Sequence, residues 1–191
     1  MSSPALPRRI AFLGDFIPRL CGIATFTHDL VKAVASEAPE ADCYGGAVND
    51  RMEGYHSPPQ VRFELLEKDL DSYRRAADFL NFSNAGVLCV PHEFGIYGGA
   101  SRRYPMGPLQ GERRAGGATL HTVLQNPNVM QRRVMEELVR RSDRLVVMAR
   151  KGAEILRGTF GVPEGKVDII PHGIPDMPFA DSSDYKAQFG V

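Results

Sequence analysis

The sequence lacks most of the features that mark specialised protein classes. It has no excess of charge: Lys plus Arg and Asp plus Glu number 23 each, so no global field steers the chain toward nucleic acid or an anionic membrane. Long hydrophobic runs are missing too. The apolar stretch Ile10–Leu13 that follows the amino-terminal segment is too short for a signal peptide or a spanning helix, so no membrane span is expected and the expected location is the cytoplasm. Cysteine is scarce, and Cys21, Cys43 and Cys89 form an odd set in apolar or Gly-rich neighbourhoods, which fits reduced thiols rather than a disulfide framework. The first loop holds no Gly-x-Gly-x-x-Gly, and no Gly-x-x-x-x-Gly-Lys-Ser/Thr occurs anywhere, which counts against a nicotinamide-dependent oxidoreductase and a nucleotide triphosphatase. His92-Glu93 does not open a zinc-hydrolase motif, because Ile96 stands where the second histidine of His-Glu-x-x-His would be. No metal site is expected.

What is present is an ordinary globular composition, 43% apolar and 24% charged over 191 residues, enough for one sizeable core. Short apolar runs at Arg9–Gly14, Cys43–Val48, Val61–Leu66, Gly86–Val90, Leu145–Met148 and Val167–Ile170 read as buried strands. Between them Phe26, Leu30 and Val34 share one helical face, as do Met130, Val134 and Leu138. A third helix is expected over Arg150–Phe160, stopped by Gly161 and Pro163. The alternation predicts an α/β fold with a mostly parallel, doubly wound sheet covered on both faces. The segment Ala100–Ala118 breaks the pattern: its prolines and glycines oppose a continuous helix, leaving a mobile loop or a basic, anion-binding loop as alternatives.

In such sheets ligands sit beyond the carboxyl ends of the strands, so the strand-to-helix loops are the candidates. In the first, Gly22 precedes the helix of Phe26 and Leu30, where a glycine serves either close approach of a ligand or a tight turn. The loop Pro91–Gly99 concentrates His92, Glu93, an aromatic ring and glycines, a mixture that suits a carbohydrate's hydroxyls and apolar ring faces; the alternative is a core histidine and a solvated glutamate. His121 stands at the expected end of another strand, as a structural residue or as a group that exchanges hydrogen bonds with a substrate hydroxyl. The Pro- and Gly-punctuated turn after Ile169 reads as an exit into a linker.

Six motifs in order, Pro18–Thr27, His92–Gly99, Leu120–Leu124, Ser142–Met148, Phe160–Pro163 and Ile170–Ile174, resemble the amino-terminal domains of bacterial family 4 glycosyltransferases. The resemblance implies one Rossmann-like half of a two-domain, glycosyltransferase B-type enzyme, covering residues 1–176, with residues 177–191 as a linker and the start of a donor-binding domain. It implies retaining transfer from a nucleotide sugar to an acceptor, without a metal. It further implies that Gly22 and Ile23 lie beside the donor diphosphate, that Thr25, His92, Glu93, Tyr97, Gly98 and Gly99 are further substrate-binding residues, that His121 is the catalytic cleft histidine contacting the transferred sugar, and that Pro171, His172 and Gly173 form the interdomain hinge. The family's paired glutamates, eight positions apart, have no counterpart here, so the expectation is an acceptor-side half that is inactive alone and self-associates weakly through an exposed face of Ile23, Phe94, Ile96, Tyr97 and Val123. Residues 100–118 also depart from the family's apolar pattern, as a compensated local frame shift or as a divergent loop. A binding module for sugar or nucleotide, without turnover, is the competing reading.

Overall fold

The computed structural model describes residues 7–97 and 115–174. In chain order these form β1 (Arg9–Gly14), α1 (Gly22–Glu37), β2 (Asp42–Asn49), β3 (Val61–Leu66), α2 (Leu70–Phe82), β4 (Val87–His92), β5 (Ala115–Leu120), α3 (Val129–Arg141), β6 (Arg144–Val147), α4 (Arg150–Phe160) and β7 (Val167–Ile169). Every neighbouring pair is parallel, in the spatial order β3-β2-β1-β4-β5-β6-β7. This is the expected Rossmann-like α/β architecture, and its winding reverses between β1 and β4. Alternation along β1 serves both faces: Ala11 and Leu13 join the larger core with Tyr73, Ala76 and Leu80 of α2, while Ile10 and Phe12 pack toward Val31 of α1.

The helix boundaries follow from local chemistry. Asn128 and Gln131 close a reciprocal capping box at the start of α3, and Gly161 ends α4 at φ 65°, a left-handed turn that favours glycine. At the start of α1 the cap is the Cys21 thiol, which accepts from the Ala24 N–H at 3.3 Å.

Three expectations need correction. Helix α2 goes unseen in the sequence pattern because Ala76 is small and charged residues crowd the segment; its signals are the Asp69 cap and the buried spacing Tyr73, Ala76, Leu80. Residues 115–118, read as part of an irregular segment, are strand: β5 pairs with β4 from Ala115 to Leu120, with Gly116 and Gly117 inside it. Strand β4 runs two residues further than expected, to His92, because its two edges behave differently. The ladder to β1 ends at Phe12–Cys89, whereas the ladder to β5 continues to His92–Leu120. Pro91 therefore sits where β4 has no further β1 partner, and its missing N–H leaves no gap in that ladder.

The opening between β1 and β4 is filled by Tyr97. Its ring is buried and its hydroxyl lies 2.8 Å from both the Leu13 and the Pro91 carbonyl oxygens, sharing one proton between the two strands. The basic segment from residue 100 to 114 and the linker from 177 lie outside the described residues. Among the described residues no helix is long and apolar enough to cross a membrane.

Tyr97→Phe keeps the ring and removes the one side-chain donor that, among the described residues, these carbonyls share. It is expected to lower the unfolding free energy by about 1–2 kcal/mol in urea titrations, the usual penalty for a buried carbonyl left short of a partner. An unchanged midpoint would show that the hydroxyl does not bridge the strands.

Candidate functional site

The carboxyl ends of the strands form one edge, and its two flanks differ in chemistry. Over β1, β2 and β3 the flank is ionic. Each of these strands is followed directly by an acidic residue, Asp15, Asp50 or Glu67, and all three converge on Arg19 of the β1–α1 loop at 3.0, 3.7 and 3.7 Å. Arg19 also donates to the Val48 carbonyl at 3.3 Å, so one guanidinium ties the first loop to three strand ends. Asp15 is fully buried and accepts from the Cys21 thiol at 3.2 Å; burial pushes its carboxyl up to about 6 despite Arg19. None of this network was anticipated from sequence, although the recurrence of an acid after successive strands was its signal.

Over β4 and β5 the flank is aromatic and imidazole-rich. His121 follows β5, and its backbone N–H donates to the His92 carbonyl at 3.0 Å, extending the ladder by one rung. The His121 ring meets Phe26 edge-on at 4.4 Å between centroids and lies 6.3 Å from His172, which itself contacts Phe26 at 5.3 Å. Its Nε2 is buried without a partner, and burial lowers its pKa while the nearby Glu93 carboxylate opposes that shift. A neutral imidazole in this position can donate to or accept from a hydroxyl brought over the edge.

The other predicted residues are distributed around this point. Gly22 begins α1 without a positive φ, and a Cβ there would meet no atom within 4 Å, so the turn does not require glycine and the space above the helix start is open. Ile23 is half-buried against the core and Thr25 is exposed one turn along α1. His92 is buried: its ring stacks on Tyr97 at 5.9 Å, meets Phe94 edge-on at 5.3 Å, and burial drops its pKa to about 4. Glu93 is half-buried and accepts from the Thr122 hydroxyl and the Phe94 N–H. Tyr97, expected at the substrate, stands as the strut between β1 and β4 with its hydroxyl engaged by backbone. Pro171, His172 and Gly173 are exposed beyond β7. Gly98 and Gly99 lie outside the described residues. Among the described residues no group of three or more His, Cys, Asp or Glu is placed to hold a metal ion.

Two expectations change here. Phe26, read as a core position of α1, is half-buried at the edge and joins two histidines. The expected apolar face is largely covered, since Ile96 and Tyr97 are buried and Ile23, Phe94 and Val123 pack on the core; the apolar side chains exposed on this edge are instead Leu20, Val129, Ile170 and Ile174.

With this geometry in view, comparison with known proteins is specific at the level of family. Residues 21–176 match the family described as Glycosyltransferase Family 4. No curated protein matches the sequence. Among solved structures, the fold resembles a lipopolysaccharide outer core galactosyltransferase, WaaB, in its apo form (TM-score 0.63, 8% identity, 89% of this chain and 47% of that one). It also resembles a glycosyltransferase from Rickettsia africae (TM-score 0.59, 11% identity, 95% of this chain and 48% of that one). The chain belongs to glycosyltransferase family 4. It spans about half the length of the two solved glycosyltransferases.

Two buried titratable groups of this edge, Asp15 and His92, pull stability in opposite directions. Asp15, with its folded pKa raised to about 6, contributes stability that is complete below its unfolded value near 3.8 and is lost as pH rises through about 6. His92, depressed to about 4, contributes stability that is complete above 6.5 and is lost as pH falls through about 4. Each effect is on the order of 3 kcal/mol between its limits. In urea denaturation across pH 4 to 6.5, Asp15→Asn should therefore unmask a steep rise of stability with pH, and His92→Leu a fall. Profiles parallel to the parent's would refute the assignment of either group.

Proposed function

We propose that this domain is the acceptor-side half of a retaining glycosyltransferase, which moves a sugar from a nucleotide-sugar donor to an acceptor hydroxyl across a cleft completed by a donor-binding domain. The observation that carries the reading is the convergence of His121, Phe26 and His172 on the strand-end edge, beside the open space over Gly22. His121, half-buried at this edge, is the residue that contacts the transferred sugar. The start of α1 at Gly22 and Ile23, with Thr25 on the same turn, faces the leaving diphosphate, where helix N–H groups stabilise anionic oxygen in the role a metal fills in other enzymes. His92 and Tyr97 shape the wall from beneath, and Pro171–Gly173 is the crossing to the second domain.

Half of the cleft leaves donor and acceptor neither aligned nor shielded from water, and alignment supplies much of an enzymatic rate. The 191-residue chain alone is therefore expected to give no measurable transfer. Joined after Asp176 to a donor-binding domain from a close relative, it should transfer sugar, and His121→Ala should then lower kcat by about 100-fold or more, the usual contribution of a positioned imidazole. Product formation by mass spectrometry checks both arms. Robust turnover by the isolated chain, or undiminished turnover by the joined His121→Ala protein, would overturn the reading. Calorimetric binding of nucleotide sugar or acceptor, with no transfer in the joined protein, would make it a binding module.

A further inference from the structure

The loops that leave β4 and β5 are joined by a side-chain clasp one residue past the last backbone rung. The His121 N–H donates to the His92 carbonyl at 3.0 Å. The Thr122 hydroxyl then donates to Oε2 of Glu93 at 2.6 Å, while Oε1 of Glu93 accepts from the Phe94 N–H at 2.7 Å. Both carboxylate oxygens are thus engaged by protein, and hydrogen bonds to an ionised acceptor are the strong kind. Because Glu93 and Thr122 each directly follow a histidine, the clasp sets the position of the His121 ring relative to His92.

The same carboxylate acts on His121 through its charge. Three titratable groups face the His121 imidazole: Glu93 from the β4 loop favours its protonated form, His172 from the segment beyond β7 opposes it, and His92 at the end of β4 is buried and coupled to it. The fourth neighbour, Phe26 of α1, is uncharged and meets the ring edge-on. Among the described residues Glu93 is the one carboxylate acting on this ring. A glutamate with both oxygens held by the protein is fixed in place and well placed to hold a neighbouring loop and its imidazole.

We infer that Glu93 is a positioning residue that works through His121, clamping the β5 loop by way of Thr122, rather than a ligand of the substrate. The inference rests on the proposed role of His121, but its test reads the His121 ring directly in the intact chain, so it can fail while the proposed transfer stands. The measurement is a pH titration of His121 by heteronuclear NMR in the 191-residue protein and in Glu93→Gln, Thr122→Ser and Thr122→Val. Glu93→Gln keeps an acceptor and removes the charge, so His121 should titrate at lower pH than in the parent. Thr122→Ser keeps the hydroxyl and should reproduce the parent's curve. Thr122→Val breaks the clasp and should shift or broaden the His121 ring signals. If Glu93→Gln does not fold, the contrast between Thr122→Ser and Thr122→Val decides. In the joined, transfer-competent protein, Glu93→Gln should lower kcat and move the pH profile with little change in acceptor KM. An unmoved His121 titration in a folded Glu93→Gln, identical ring signals in Thr122→Ser and Thr122→Val, or a raised acceptor KM at unchanged kcat would overturn the inference, the last by making Glu93 a substrate ligand.

Discussion

The parting of β1 and β4 is the constraint on which the site depends. Their ladder ends at Phe12–Cys89, while β4 stays paired to β5 for three residues more, so a crevice opens where the winding reverses. Buried backbone in such a gap needs polar partners, and the Tyr97 hydroxyl reaches the Leu13 and Pro91 carbonyls from the loop that leaves β4. A residue that looks like a sugar-stacking aromatic in the sequence thereby holds the crevice to a set width. The ring of His92 stacks on it, which places the backbone that carries His121 by way of the His92 carbonyl.

On either side of the crevice the edge uses different forces. Over β1 to β3 it is organised by charge, with Arg19 drawing three strand-end carboxylates together; its contact with buried Asp15 is shielded from solvent, while its contact with half-exposed Asp50 is weakened by water. Over β4 and β5 the rings of His121 and His172 meet Phe26 edge-on and His92 meets Phe94 edge-on, and burial disfavours the charged forms of His92 and His121. The first flank anchors the loop that leads into Gly22, and the second gathers His121 and His172 around Phe26 of the same helix.

The chain belongs to glycosyltransferase family 4, whose model matches residues 21–176. The identities to the two solved glycosyltransferases are 8% and 11%, so their likeness establishes the fold, while the side chains of this edge carry the functional argument by themselves.

By itself the sequence determined the α/β class, the parallel sheet and six of its seven strands, because buried strands write themselves as short β-branched runs whatever surrounds them. It also marked Gly22 as a helix-start residue and His92, Glu93 and His121 as strand-end residues of the strand-to-helix loops, since topology sends every such loop to one edge. Helix α2 stayed hidden because a small alanine carries a buried position that only packing reveals, and of β5 only its end at His121 was legible, because Ala115–Ala118 holds no large apolar side chain. Only the tertiary structure decided the roles within the edge: Tyr97 as a strut, Phe26 as the contact between two histidines, and Arg19 as the tie of three carboxylates. Those assignments depend on residues up to 146 positions apart meeting within a few ångströms, as Leu13 meets Tyr97 and Phe26 meets His172, and no local pattern encodes a distance between segments that fold separately.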